Sequence, residues 1–233
     1  RWSTAAEVES DVAAFGSGLI KLGLTPRCTA GILMKNRPEW LITSFAMARQ
    51  CIVSVPLFAG YTTRALSTAF EKTRMLLMVT SPEFLDDVLS AIADGSRMLS
   101  VVIVVGYNGL QLPSEFEFKA SSVGSKVLTY AEVIQLGRSD PVDPNPDTTE
   151  SDPFTIMFTS GTTGEQKAVI ATHGNAIHSF RNQGSSYIWG KRKLSDQLHF
   201  NYLPLSHILE LLTAYLLVIG GGQIGFSSGT MAR

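Results

Sequence analysis

Residues 29–57 read TAGILMKNRPEWLITSFAMARQCIVSVPL, and segments of three different characters follow one another there. Thr29 to Met34 is a short apolar run, as expected of a strand buried on both faces. Pro38 stands where the first helical turn accepts a proline, because the N–H groups of that turn have no partner within the helix. The helix it opens runs through Ala48. Ile52 to Leu57 is apolar again, so the stretch predicts strand, helix, strand, the unit that sets two parallel strands side by side.

The same alternation extends outward. Toward the N-terminus, Thr4 and Glu7 form a capping box, and Val8, Val12, Phe15, Leu19 and Leu22 recur at helical spacing until Gly23. Toward the C-terminus come a helix near Thr63 to Arg74, a strand from Met75 to Thr80, a helix from Pro82 to Ala93 and a strand from Leu99 to Val105. Continuously apolar strands separated by single helices predict an α/β fold, a doubly wound and largely parallel sheet with helices on both faces. Gly106 to Lys126 loses all periodicity and reads as a surface excursion. A brief strand and helix follow around Tyr130 to Leu136. Gly137 to Pro153, with its prolines and acidic residues, reads as a solvated connector.

Only 17% of the 233 residues are charged and 45% are apolar, with mean hydropathy +0.15. Such a greasy surface is expected where a sheet is covered on both faces and part of the exterior lies against further polypeptide. A net charge of −1 produces no field that would gather nucleic acid or an anionic membrane. Cys28 and Cys51 have neither metal-ligand spacing nor a secreted framework around them and read as reduced core residues. The longest apolar run, Leu211 to Gly220, is too short to span a bilayer. The chain opens on Arg1 rather than Met, which is compatible with a targeting or anchoring segment upstream.

Chemistry concentrates after Phe154 to Phe158, a buried-strand pattern that runs into Thr159, Ser160, Gly161, Thr162, Thr163, Gly164, Glu165, Gln166 and Lys167. The glycines let the backbone turn its N–H groups inward, the hydroxyls add donors, and Lys167 brings a mobile positive charge, a combination that can wrap a polyphosphate. It is not a Walker A loop: counting from Gly161, Gln166 occupies the place of the second glycine. Ala168 to Thr172 reads as a second strand, so the loop joins two strands. The next helix follows Gly174 and Asn175, with Ile177, Phe180, Gly184 and Tyr187 on one face.

Ser-Gly-Thr-Thr-Gly followed two residues later by Lys resembles the phosphate loop of the adenylate-forming superfamily, which holds acyl-CoA synthetases, peptide-synthetase adenylation domains and luciferases. Asn36, Arg37, Pro38, Glu39 and Trp40 resemble that family's N-x-P-E-W segment, Ser54 to Leu57 its V-P-L strand, and Thr172, His173 and Asn175 its T-H-x-N. Tyr202 to Glu210, reading YLPLSHILE, resembles the Y-L-P-L-A-H-I-x-E stretch of long-chain fatty acyl-CoA synthetases. Two positions depart: where the family has Pro-Lys-Gly, this chain has Gln166, Lys167 and Ala168.

The resemblance implies that a carboxylate attacks the α-phosphorus of ATP, pyrophosphate leaves, and the thiol of CoA displaces AMP from the acyl-adenylate. It implies that Thr159, Ser160, Gly161, Thr162, Thr163, Gly164 and Lys167 hold the phosphates, with Thr159 reaching Mg. His207 is expected at the junction of carboxylate and α-phosphate, so His207 and Lys167 are the catalytic candidates. Tyr202, His207 and Leu212 are expected to begin the acyl site. Amino-acid-activating relatives place an aspartate near this motif to pair the substrate amine; here Leu205 and Ser206 stand before His207 and no carboxylate follows until Glu210, which favours a fatty acid over an amino acid. His173, His178 and His199 read as structural, and no zinc site is expected.

It also implies an N-terminal fragment of a longer enzyme, inactive alone, in which residues 1–25 and 195–233 begin a second subdomain around a first at 26–194. Self-association through the incomplete face is a further expectation. The expected setting is the cytoplasm, with peripheral attachment to an organelle membrane an open alternative. Competing readings are a non-catalytic adenylate-binding homologue, a ligase for another carboxylic acid, and a phosphotransferase domain, which lacks its Walker loop here.

Overall fold

The computed structural model describes residues 2–95, 99–107, 112–160, 166–184 and 193–227. Along the chain run α1 (Ala5–Lys21), β1 (Thr29–Leu33), α2 (Pro38–Arg49), β2 (Val53–Pro56), α3 (Thr63–Thr73), β3 (Leu77–Thr80), α4 (Pro82–Ala93) and β4 (Val101–Val104). After these come α5 (Ser114–Ser122), β5 (Lys126–Thr129), α6 (Tyr130–Ser139), β6 (Pro153–Ser160), β7 (Gln166–Thr172), α7 (His173–Gly184), β8 (Leu198–Asn201), α8 (Ile208–Ile219) and β9 (Gln223–Phe226).

Seven strands form one sheet in the order β5-β4-β3-β1-β2-β6-β7. Its pairings are parallel except the last, where β7 runs antiparallel to β6. Strand period sorts the core into two halves: Ile32, Leu77 and Val79 face one side while Leu33, Met78 and Val55 face the other. The first side is covered by α1, α2, α6, α7 and α8, with Phe15, Trp40, Val133, Ala176 and Leu211 buried there. On the second side lie α3, α4 and α5, through Phe70, Val88 and Ala120. Each fully buried Leu, Ile or Phe contributes about 1.5–3 kcal/mol of transfer free energy.

The first helix begins with the expected box: the Thr4 side chain accepts from the Glu7 N–H, and the Glu7 carboxylate accepts from the Thr4 N–H. It crosses α6 with backbones touching. A Cβ placed on Gly137 would lie 1.8 Å from the Ala14 carbonyl oxygen, and one on Gly18 2.3 Å from that of Val133.

Two expectations are corrected. Residues 114–122 of the supposed surface excursion form α5, which buries only Ala120. Phe116 packs on the core one turn before Ala120 while Phe118 is exposed, so the apolar period is short and blurred, although Glu115 and Glu117 in the first turn suit a helix start. The connector before β6 is not merely solvated. Its Asp152 is buried and bound by Arg27 at 2.6 Å, and Asn145 donates its N–H to the Arg49 carbonyl. Tyr187, expected on the face of α7, lies outside the described residues.

From Asp196 onward the chain makes a small parallel pair, β8 with β9, joined by α8. The stretch reaches the core through α8, whose Tyr215 packs on Phe45 of α2 at 4.1 Å between ring centres and bonds Ser44 at 2.8 Å.

Candidate functional site

The parallel strands β1, β2 and β6 all end at one edge of the sheet, the edge where ligands bind in open α/β folds. Three loops leave from it: 34–37 after β1, 57–62 after β2, and the glycine-rich turn after β6.

The β6–β7 hairpin separates early from its neighbour. Only Ser54 and Thr155 are in register between β2 and β6, reinforced by the Thr155 hydroxyl donating to the Ser54 carbonyl at 3.1 Å. Beyond that point β6 is paired with β7 alone, through Thr159 opposite Lys167 and Ser160 opposite Gln166. Residues directly opposite on an antiparallel pair share a face, so Thr159 and Lys167, both exposed, stand side by side at the mouth of the loop. Lys72 of α3 donates to the Gln166 carbonyl at 3.0 Å and steadies that mouth. Gly161, Thr162, Thr163 and Gly164 lie outside the described residues, as does the side chain of Ser160.

At its other end the hairpin is fastened by Asp152. Arg27 and the Thr149 N–H hold the Asp152 carboxyl down at about 2, and the Asp152 carbonyl accepts from the His173 N–H. The His173 ring packs edge-on against Phe154 at 5.3 Å, and burial lowers its pKa, with Asp152 opposing. Thr172 and Asn175 exchange bonds, each side chain accepting from the other's N–H. The T-H-x-N motif is therefore a reciprocal cap on α7.

His207 sits at the N-cap of α8. Its imidazole is exposed and faces Phe58, which follows β2, at 6.0 Å between ring centres. The surrounding turn is cross-linked at both ends. Asn36 donates to the Leu203 carbonyl at 2.6 Å and accepts from the Leu205 N–H at 2.9 Å. Behind it, the buried Glu210 carboxylate receives His199 Nε2 at 2.7 Å and the side-chain amide of Asn201. Leu205, between these anchors, is fully buried. Tyr202 stands 65% exposed, whereas Leu212 is half-buried against the core.

The structure thus pairs Thr159 with Lys167 and places His207 on a separate loop of the same edge. A cleft of about 1350 Å³ next to this edge is lined by Asn36, Phe58, Tyr202 and Ser206 and reaches Asp11 on α1. Neither hairpin residue borders it. Lys72 and Asn36 act here through bonds spanning 94 and 167 to 169 residues, and no local sequence pattern announces such partners. Among the described residues no group of three or more His, Cys, Asp or Glu side chains could hold a metal. The exposed Thr159 hydroxyl is chemically able to take one place on Mg, as the Ser or Thr hydroxyl of P-loop NTPases does beside a carboxylate, phosphate oxygens and water.

A sequence model described as AMP-binding enzyme matches residues 1–233. The chain belongs to the AMP-binding enzyme family. Among its relatives is long chain acyl-CoA synthetase 6, peroxisomal, of Arabidopsis thaliana, 36% identical over 98% of this chain and 31% of that protein. Another is fatty acyl-CoA synthetase B of Dictyostelium discoideum, 32% identical over 93% of this chain and 31% of that protein. The chain therefore spans about a third of the length of the curated relatives it matches. Of solved structures, the A domain of carboxylic acid reductase from Segniliparus rugosus, in complex with AMP and a co-purified carboxylic acid, superposes with a TM-score of 0.78 at 21% identity. That match covers 96% of this chain and 37% of that one. ATP-bound MatB from Rhodopseudomonas palustris matches with a TM-score of 0.70 at 19% identity, covering 95% of this chain and 39% of that one. At these identities the structures bear on the fold, which is that of the AMP-binding family.

Proposed function

We propose that this chain is the phosphate-gripping part of an ATP-dependent long-chain fatty acid–CoA ligase. The observation that carries the reading is the hairpin mouth, where Thr159 and Lys167 stand side by side at the carboxyl edge of the sheet, flanking the Ser-Gly-Thr-Thr-Gly turn. The names of the relatives supply the substrate class.

In this reading the loop backbone, the Thr162 and Thr163 hydroxyls and Lys167 hold the β- and γ-phosphates and stabilise the charge that gathers on pyrophosphate as it leaves. Losing one such donor costs roughly 2.7–4 kcal/mol of barrier. Thr159 would hold Mg, which when bound would further neutralise the phosphate charge. His207 orients the carboxylate at the α-phosphorus, while Tyr202 and Leu212 begin the acyl site. The thiol of CoA then displaces AMP. Residues 195–233, with β8 and β9, begin a second subdomain, and the ribose and CoA contacts belong to polypeptide beyond the chain. For that reason the chain by itself is expected to form no acyl-CoA and to self-associate through its uncovered face. No described helix is long and apolar enough to cross a membrane. Independently of that, we place the enzyme in the cytoplasm, with peripheral attachment to an organelle membrane as the alternative.

The test is fatty-acid-dependent pyrophosphate release by the full-length protein. Release that requires both fatty acid and Mg supports the ligase. ATP binding with no release under any carboxylic acid identifies an adenylate-binding homologue instead.

A further inference from the structure

Asn36 lies three residues beyond β1, the strand that separates β2 from β3 in the sheet. Its half-buried amide reaches the 201–205 backbone with three hydrogen bonds: Nδ2 donates to the carbonyls of Leu203 at 2.6 Å and Asn201 at 3.4 Å, and Oδ1 accepts from the Leu205 N–H at 2.9 Å. One end of the amide meets carbonyls and the other meets an N–H, so only one orientation of the group satisfies all three. Between the bonded residues stands Pro204, which has no N–H of its own, and its carbonyl accepts from the His207 N–H at 2.9 Å. The chain of bonds therefore runs from the carboxyl end of β1 through Asn36 to Leu205 and the Pro204 turn that sets His207. The end of β2 touches the same histidine through Phe58.

Asn36 has little freedom to carry the turn elsewhere. Leu33 and Met34 before it are buried, and Arg37 after it is held extended by Pro38. On the far side, Glu210 closes the segment on itself through Asn201 and His199. Without Asn36 that closure would persist, but nothing among these bonds would fix the turn to the sheet.

We propose that Asn36 is a positioning residue for the fatty-acid site: it fixes the Leu203–Leu205 turn to the end of β1 and so sets where His207 meets the carboxylate. The proposal rests on the ligase reading above. It assigns no contact between Asn36 and substrate, and it separates the two substrates, because none of the described hairpin residues is bonded to Asn36.

The experiment compares wild type, Asn36→Ala and Asn36→Asp in the full-length ligase by steady-state kinetics, thermal unfolding and hydrogen exchange of the peptide spanning residues 203–207. Asn36→Ala should lower kcat/KM for fatty acid on the order of tenfold to a hundredfold, the scale of a small misplacement of a reacting group. KM for ATP should stay within about twofold and exchange in 203–207 should rise. Asn36→Asp keeps an acceptor for the Leu205 N–H but sets a carboxylate oxygen against the Leu203 and Asn201 carbonyls, so its exchange and its fatty-acid kinetics should suffer at least as much as in Asn36→Ala. Two results overturn the proposal: unchanged fatty-acid kinetics despite faster exchange, or an equal loss toward ATP and fatty acid together with a lowered unfolding midpoint. A wild type that releases no pyrophosphate overturns the ligase reading and the positioning role with it; the exchange data would then still report the clamp as a bond of the fold alone.

Discussion

The hairpin and the 199–210 segment lie on the same edge of the sheet and are held in opposite ways. Among the described residues, the hairpin past Thr155 is paired with itself, and Lys72 on the Gln166 carbonyl is a cross-link that reaches its mouth. The 199–210 segment is bonded to β1 through Asn36, closed internally through Glu210, and anchored in the core by Leu205. The contrast matches two tasks. In the proposed ligase the hairpin mouth offers Lys167 to the triphosphate, while the braced segment aims one imidazole at one carboxylate, a task that rewards geometry set beforehand.

The largest effect that would sharpen this contrast is expected from Lys167→Ala. Pyrophosphate release should fall by roughly a hundredfold to a thousandfold, while the unfolding midpoint barely moves, because the side chain is exposed. A large loss of stability would break the distinction. Glu210→Ala should do the reverse in kind. It takes this partner from the buried Asn201 and the half-buried His199, destabilising by about 1–3 kcal/mol in denaturant unfolding, and it lowers activity through the fold. Lys72→Ala should be milder, raising KM for ATP by a few-fold, consistent with about 0.5–1.5 kcal/mol for one hydrogen bond, with fatty-acid KM unchanged.

The smallest expected effect is in pH. His173 has its pKa lowered by burial, so its neutral form favours the folded state. That contribution is complete above about 6.5 and is lost as pH falls from there toward the folded value. Asp152, held at about 2 by Arg27 and Thr149, contributes above its ordinary range and loses that between about pH 4 and 2. Unfolding midpoints of wild type should therefore drop between pH 7.5 and 5.5, and His173→Gln should flatten that slope without touching the more acidic limb. Identical slopes would remove His173 from the account.

Much of this was legible in the residues. Apolar runs of strand length and the Pro38 and Pro82 starts marked the sheet and its helices, because burial writes a period into the chain. Helix α5 was hardly legible: of its nine residues Phe116 and Ala120 meet the core, and the exposed Phe118 blurs that short stripe. The hairpin followed from two apolar runs around a glycine-rich turn. The T-H-x-N motif was visible as a string, but its meaning, a cap exchanged between Thr172 and Asn175, emerged only from the bonds. The Asn36 clamp was hidden for a simpler reason. An asparagine bonded to backbone far along the chain leaves no trace in the residues beside it, and none in the partner segment, where only carbonyls and an N–H take part.

The most direct test of the phosphate-gripping claim is a pair of titrations of the full-length protein and its Lys167→Ala variant, one with MgATP and one with AMP. If the hairpin grips the β- and γ-phosphates, the variant should lose affinity for ATP by tenfold or more, about 1.4 kcal/mol, and keep its affinity for AMP. Equal affinities of the two proteins for ATP would contradict the account.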